Sequence, residues 1–233
     1  MQEVERARSA CEKQLKAAQS LPAAYLREVF ESEEAKKWER KRLGEIAKRY
    51  QYGLTAASSA EVVGYPLLRI SDIDDDGNLK EQGLRFVKCN DDTYEKYRLE
   101  EEDILIARSG SVGRSFLYEG EPQNAIFASY LIRFKPMKKI VDPKFLLYFA
   151  HSGEYLGFIN SKKHTLSQPN INAQELKSLE VPLPPLPIQH HIATELKEKM
   201  VEVEKLRVGI EKQLEAINAL PQTILRKAFR GKL

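Results

Sequence analysis

The sequence predicts an α+β chain: a globular middle of mixed strands and short helices, carried beside a long coiled-coil-type helix. Three observations lead there. Between residues 48 and 181, short strand-like runs alternate with turn residues. Between 192 and 217, apolar residues recur at steps of three and four. A nineteen-residue segment near the start returns near the end.

The repeat comes first in chain order. Residues 12–30 read EKQLKAAQSLPAAYLREVF and residues 211–229 read EKQLEAINALPQTILRKAF, with ten of nineteen positions identical at an offset of 199. Each copy is a charged amphipathic helix that runs into a Leu-Pro step, Leu21-Pro22 or Leu220-Pro221. Proline lacks an amide donor and suits a first helical turn, so each copy is expected to stop there and restart as a second short helix. That second helix places Leu26 and Phe30, or Leu225 and Phe229, one turn apart on a shared face. The repeat divides the chain into 1–30, a middle of 31–187, and 188–233.

In the middle, strands are expected at Pro66–Ile70, Leu84–Lys88, Asp103–Ala107, Arg114–Tyr118 and Ala125–Phe134. The turn-rich strings 74–78 and 109–113 separate some of them. Asp142-Pro143 reads as a helix start, with Phe145, Leu146, Tyr148 and Phe149 following on apolar faces. Asn172 with Glu175 has the spacing of a reciprocal N-terminal cap. Val181-Pro-Leu-Pro-Pro-Leu-Pro187 reads as a stiff polyproline connector. Beyond it, Ile192, Leu196, Met200, Val203, Leu206, Ile210, Leu214 and Ile217 form the long stripe. Residues 189–219 as a helix span about 46 Å. The N-terminal helix (Val4, Ala7, Cys11, Leu15, Ala18) is expected to cover part of that stripe and a second copy of the chain the rest.

Composition narrows the function classes. A net charge of +3 permits a polyanionic partner only if the basic residues are locally gathered. The two cysteines, Cys11 and Cys89, form neither a disulfide framework nor a thiolate metal site. The charged opening MQEVERARSACEK has no apolar core like that of a signal peptide, and the apolar run Phe145–Ala150 is too short to span a bilayer, so a cytoplasmic protein without a membrane partner is expected. Asp72, Asp74, Asp76 and Gly77 imitate half of a calcium loop, but Gly83 stands where its closing glutamate belongs, so an acidic surface turn is expected and no metal. Neither a nucleophile elbow, a P-loop, a dinucleotide fingerprint nor an aminomethyltransferase motif occurs, which points away from an enzyme.

Two loops carry side chains suited to nucleic acid. Arg108, Ser109, Ser111 and Arg114 surround the glycines Gly110 and Gly113, and Lys162, Lys163 and His164 precede Gln168 and Asn170. Arginine and lysine reach phosphates and guanine edges; glutamine and asparagine pair with adenine. Arg69, at the end of the first strand run, joins them as a candidate. Taken singly, the first loop reads more readily as a glycine turn flanked by solvated arginines, and the second equally as a polar surface loop.

The strings Asp103–Gly113, Ala128–Arg133, Gln168–Asn172 with Glu175-Leu176, and Val181–Leu186 with Gln189 resemble the target-recognition domain of type I restriction–modification specificity subunits. The segments around Leu21-Pro22, Trp38, Leu43-Gly44-Glu45 and Leu220–Gly231 resemble that family's helix ends and domain entry. The resemblance implies a non-catalytic DNA-recognition subunit that positions methyltransferase and restriction subunits on a bipartite double-stranded target. It needs no cofactor of its own, S-adenosylmethionine being held by the methyltransferase. Members carry two recognition domains and two spacer helices, whereas this chain has one domain, as in a half-subunit or the C-terminal half of a longer one. Self-association through residues 189–219 would supply the second domain. A methyltransferase-capturing regulator that does not read DNA, or an enzyme in its own right, are the alternatives.

Overall fold

A computed structural model describes residues 2–74, 77–80, 83–162 and 169–229, with the backbone alone for 222–229. In chain order its elements are α1 (Gln2–Phe30), β1 (Glu39–Arg42), α2 (Leu43–Ile46), β2 (Ala47–Tyr52), β3 (Tyr65–Leu68), β4 (Arg85–Val87) and α3 (Asp91–Tyr97). Then come β5 (Ile104–Ala107), β6 (Ser115–Leu117), β7 (Ile126–Phe127), β8 (Leu131–Pro136), α4 (Pro143–Phe149) and α5 (Gly153–Lys162). The chain closes with α6 (Ala173–Lys177), β9 (Glu180–Leu183) and α7 (Leu186–Phe229). The mixture of strands and helices is the expected α+β class. Two compact units divide it, one of Met1–Tyr25 with Thr194–Leu233 and one of Leu26–Ala193. Among the described residues no helix is long and apolar enough to cross a membrane.

The first unit is a helix pair. The Cys11 thiol donates to the Ile210 carbonyl at 3.5 Å, and the Lys199 ammonium lies 5.0 Å from the Tyr25 ring centre. As one helix advances from 11 to 25 the other retreats from 210 to 199, so α1 and α7 run antiparallel. Cys11, Ala18 and Ile210 are buried between them, with Leu15, Leu214 and Ile217 packed around. Part of the stripe is therefore covered within the chain itself. Leu196, Val203 and Ile210 are buried, as is Ile192 in the other unit, while Met200, Leu214 and Ile217 are half-buried. Leu206 departs from the expectation at 49% exposed. At about 100° per residue it sits ~60° round the helix from Val203, on the flank of the contact. The N-terminal helix thus covers part of the stripe, as expected, and leaves Leu206 open.

Two further expectations are overturned. The Leu-Pro steps do not divide helices, because α1 continues through Pro22 and α7 through Pro221. Proline removes one backbone hydrogen bond, but beyond Pro22 the helix is held by packing: the Phe30 ring lies 5.4 Å from Phe145 and 5.5 Å from Phe149. Nor is 181–187 a polyproline connector. Residues 180–183 form β9, which pairs antiparallel with β1 from Glu39↔Leu183 to Arg42↔Glu180. A two-stranded sheet leaves each strand one open edge, where Pro182 needs no donor. Helix α7 then starts at Leu186, clamped by buried Gln189, whose amide accepts from Asp142 N at 2.9 Å and donates to Ile140 O and Pro184 O.

The second unit holds a four-stranded antiparallel sheet ordered β2-β8-β5-β6 and a three-stranded sheet ordered β4-β3-β7. Leu68, Ile73, Leu105, Phe116, Phe127 and Leu131 share one core. The single strand expected over 125–134 is broken by a turn in which Leu131 N donates to Ala128 O at 2.9 Å. Its halves serve different sheets, β7 beside β3 and β8 beside β5. The two predicted caps are present: Asp142 Oδ1 accepts from Phe145 N at 2.8 Å, and Asn172 and Glu175 cap each other reciprocally.

Candidate nucleic-acid interface

The hairpin turn between β5 and β6 is fixed from beneath by α5. The buried Tyr155 hydroxyl donates to Gly113 O at 2.7 Å. Burial holds that phenol well above its ordinary value, so it stays a donor. Gly113 has φ +89, and a Cβ there would lie 2.8 Å from Ile159 of the same helix. Glycine is required on both counts. Gly110, φ +72, faces open space instead.

The same helix carries the second candidate loop. Lys162 is exposed at its C-terminal end, and the chain re-enters the described region at Pro169. Asn170 there forms an antiparallel bridge with Ser109, and Ile171 N donates to Arg108 O at 2.9 Å. Arg108 N in turn donates to Tyr130 O at 2.8 Å. The structure thus brings together Arg108, Ser109 and Asn170 from loops sixty residues apart, with Ser111 exposed on the turn. Lys163, His164 and Gln168 lie outside the described residues.

Two of the other arginines are engaged internally. The Arg69 guanidinium pairs with buried Asp72 and donates to Gly83 O at 2.9 Å, clamping the turn between β3 and β4. Asp72 is consequently no part of an exposed acidic turn, which corrects that expectation; its carboxylate accepts from the Arg69 amide and side chain. Asp74 binds Asn78, while Asp75 and Asp76 lie outside the described residues. Arg114, half-buried, donates from Nη1 to Ile73 O at 2.8 Å.

Aromatic residues complete the surface, and sequence reasoning had not singled them out. Tyr52, at the end of β2, is 41% exposed and Tyr130, before β8, is 56% exposed. The Arg108 guanidinium carbon lies 4.7 Å from the Tyr52 ring centre, and the Tyr52 hydroxyl accepts from Ala173 N at 3.0 Å. Tyr50, on the same strand, has Nζ of Lys177 from α6 3.2 Å from its ring centre. The string Arg49-Tyr-Gln-Tyr52 interleaves aromatic and polar residues, a signal that base-stacking surfaces share. Donors, a cation and π-faces at one sheet end can hold a nucleic acid by hydrogen bonds and stacking. Among the described residues, no group of three His, Cys, Asp or Glu side chains is placed to hold a metal.

Comparisons with known proteins converge on one family. A sequence profile described as "Type I restriction modification DNA specificity domain" matches residues 35–216. The chain is 32% identical over 197 residues to the putative type I restriction enzyme MjaX specificity subunit of Methanocaldococcus jannaschii, covering 82% of this chain and 45% of that protein. It is 29% identical over 193 residues to the type I restriction enzyme EcoKI specificity subunit of Escherichia coli, covering 81% and 41%. The chain thus spans less than half the length of these relatives. Among solved structures, one described as the structural basis of complex assembly and conformational transition of the type I R-M system superposes with a TM-score of 0.78 at 24% identity, over all of this chain and 57% of that one. The HsdS subunit from Thermoanaerobacter tengcongensis superposes with a TM-score of 0.66 at 24% identity, over all of this chain and 56% of that one. At those identities the structural likeness concerns the fold.

Proposed function

The chain belongs to the type I restriction–modification DNA specificity domain family, and from that premise we propose that its Leu26–Ala193 unit reads double-stranded DNA. The reading surface is the sheet end built from Tyr52, Arg108, Ser109, Tyr130 and Asn170. Lys162 holds phosphate beside it and Ser111 extends it; Lys163, His164 and Gln168, outside the described residues, are further candidates for DNA contact. The observation that carries this reading is the Ser109–Asn170 bridge, which joins two loops independently suited to nucleic acid.

In this proposal the chain is non-catalytic and binds no cofactor. A partner methyltransferase subunit holds S-adenosylmethionine and receives the flipped adenine, and a restriction subunit completes the assembly in the cytoplasm. The α7 helix is the ruler that sets the spacing of a bipartite target. The second reading head comes from a second copy of the chain or from the other half of a longer protein. Because α1 occupies part of the apolar stripe, a twofold contact through α7 is left the rest of that helix's surface.

The test replaces Arg108, Arg114, Lys162 and Lys163 together by alanine in the complex with the methyltransferase. Affinity for duplex DNA should fall, and each lost phosphate contact should lower the salt slope by about 1. Unchanged affinity and salt dependence would sink the assignment.

A further inference from the structure

Arg108 differs from the other candidate arginines in what surrounds its guanidinium. Its Nε is buried and has no hydrogen-bond partner, and among the described residues no carboxylate pairs with the group. What holds it is the face of Tyr52, at 4.7 Å. That ring is itself pinned, because its hydroxyl accepts from the Ala173 amide at the start of α6. The Arg108 backbone is gripped on both sides, its amide by Tyr130 O and its carbonyl by Ile171 N. The result is a planar cation lying over a fixed aromatic platform and issuing from a fixed strand end.

Stacking covers the flat face of a guanidinium and leaves its edge donors, which lie in the plane of the fork, to make bonds. A fixed planar fork matches a planar pair of acceptors. A phosphate also accepts the fork, but a lysine can bind it as a point charge, so loss of the fork at constant charge separates the two ligands. In a DNA groove the rigid planar acceptor pair is the O6/N7 edge of guanine. We propose that Arg108 is a specificity-determining residue that reads one guanine in the major groove, with Tyr52 as its positioning residue. The inference rests on the DNA-reading function proposed above and names the base and the residue pair within it.

The test selects bound duplexes from a randomised pool with the full chain in complex with its methyltransferase subunit. Arg108→Lys keeps the charge and loses the fork. Its expected result is a motif in which one guanine position is relaxed by roughly ten- to a hundredfold, with the other positions and the salt slope unchanged. Tyr52→Leu should relax the same position, while Tyr52→Phe, which keeps the ring, should relax it less. Thermal melting of each variant separates these effects from unfolding. A motif unchanged in Arg108→Lys overturns the inference while leaving the DNA reading intact, and so does uniform weakening at every position with a lower salt slope, the mark of a phosphate contact. A wild-type complex that enriches no motif overturns both.

Discussion

Arg133 and Asp103 carry opposite charges in the interior of the second unit, at 1% and 0% exposed. Arg133 Nη1 donates to Asp103 Oδ2 at 3.2 Å and to Arg98 O at 2.6 Å, Nη2 donates to Gln51, and Phe127 lies under the guanidinium. Burial pushes the Asp103 carboxyl up, while the Glu100 amide and the Arg133 charge hold it down. Such a pair adds little net stability when intact, but removing one member strands the other charge in a dry interior. Asp103→Ala should therefore lower unfolding free energy by about 3–5 kcal/mol in denaturant titration. A loss below ~1 kcal/mol would mean that water reaches the site. Gly113 is the second residue whose surroundings decide its identity. Gly113→Ala places a Cβ against Ile159 in a backbone conformation that side chains disfavour. We expect a loss of about 1–3 kcal/mol, with weakened DNA binding because the hairpin turn shifts. Equal stability and equal binding would contradict the fixed-loop picture.

At the scale of elements, α5 organises the interface, and its buried phenol brings a pH response with it. Tyr155 lies wholly inside, and the neighbouring Tyr148 phenol is pushed up to about 12, chiefly by burial and secondarily by Glu119. A folded-state value above the ordinary 10.0 means the unfolded chain loses its proton first. The stabilisation is fully present below about pH 10 and is lost as pH rises towards 12. Tyrosinate absorbance and circular dichroism should therefore change together on alkaline titration, and Tyr155→Phe should reduce that coupling. Phenols that ionise while the fold persists would refute it. Helix α5 was not legible in the sequence because its apolar residues, Tyr155, Leu156, Phe158 and Ile159, give it little one-sidedness. Strand β2, AKRYQY, was missed because it is mostly polar, and Tyr52 with it. Asp142-Pro143 and Asn172…Glu175 were legible because a cap acts within one turn, whatever the tertiary surroundings. The Leu21-Pro22 step misled because proline's local preference yielded to packing beyond it, at Phe30. The candidate loops could be named from residue chemistry, but their meeting through Ser109 and Asn170 is a long-range bridge that no local pattern encodes.

At the scale of the whole molecule, the question is what the repeated ends are for. Cys11 and Ile210, which immediately precede the two copies at the same offset of 199, touch in the structure, Cys11 Sγ donating to Ile210 O. The antiparallel helices therefore meet inside one chain just ahead of both copies, with Leu15 of the first copy and Leu214 and Ile217 of the second around the contact, and part of the apolar stripe is covered without a second molecule. This makes opposite predictions for two stripe residues. Ile210 is buried against α1, so Ile210→Asp puts a charge into the contact. It should separate the helices, expose Leu196 and Val203, and raise the mass seen by light scattering as the apolar faces find other partners. Leu206 is half-exposed on the flank, so Leu206→Glu should change neither melting temperature nor mass. Were the stripe instead the seat of a second copy in solution, Leu206→Glu would lower the mass of the wild-type species. That outcome would return the stripe to the role of a dimer interface, with α1 as only part of its cover.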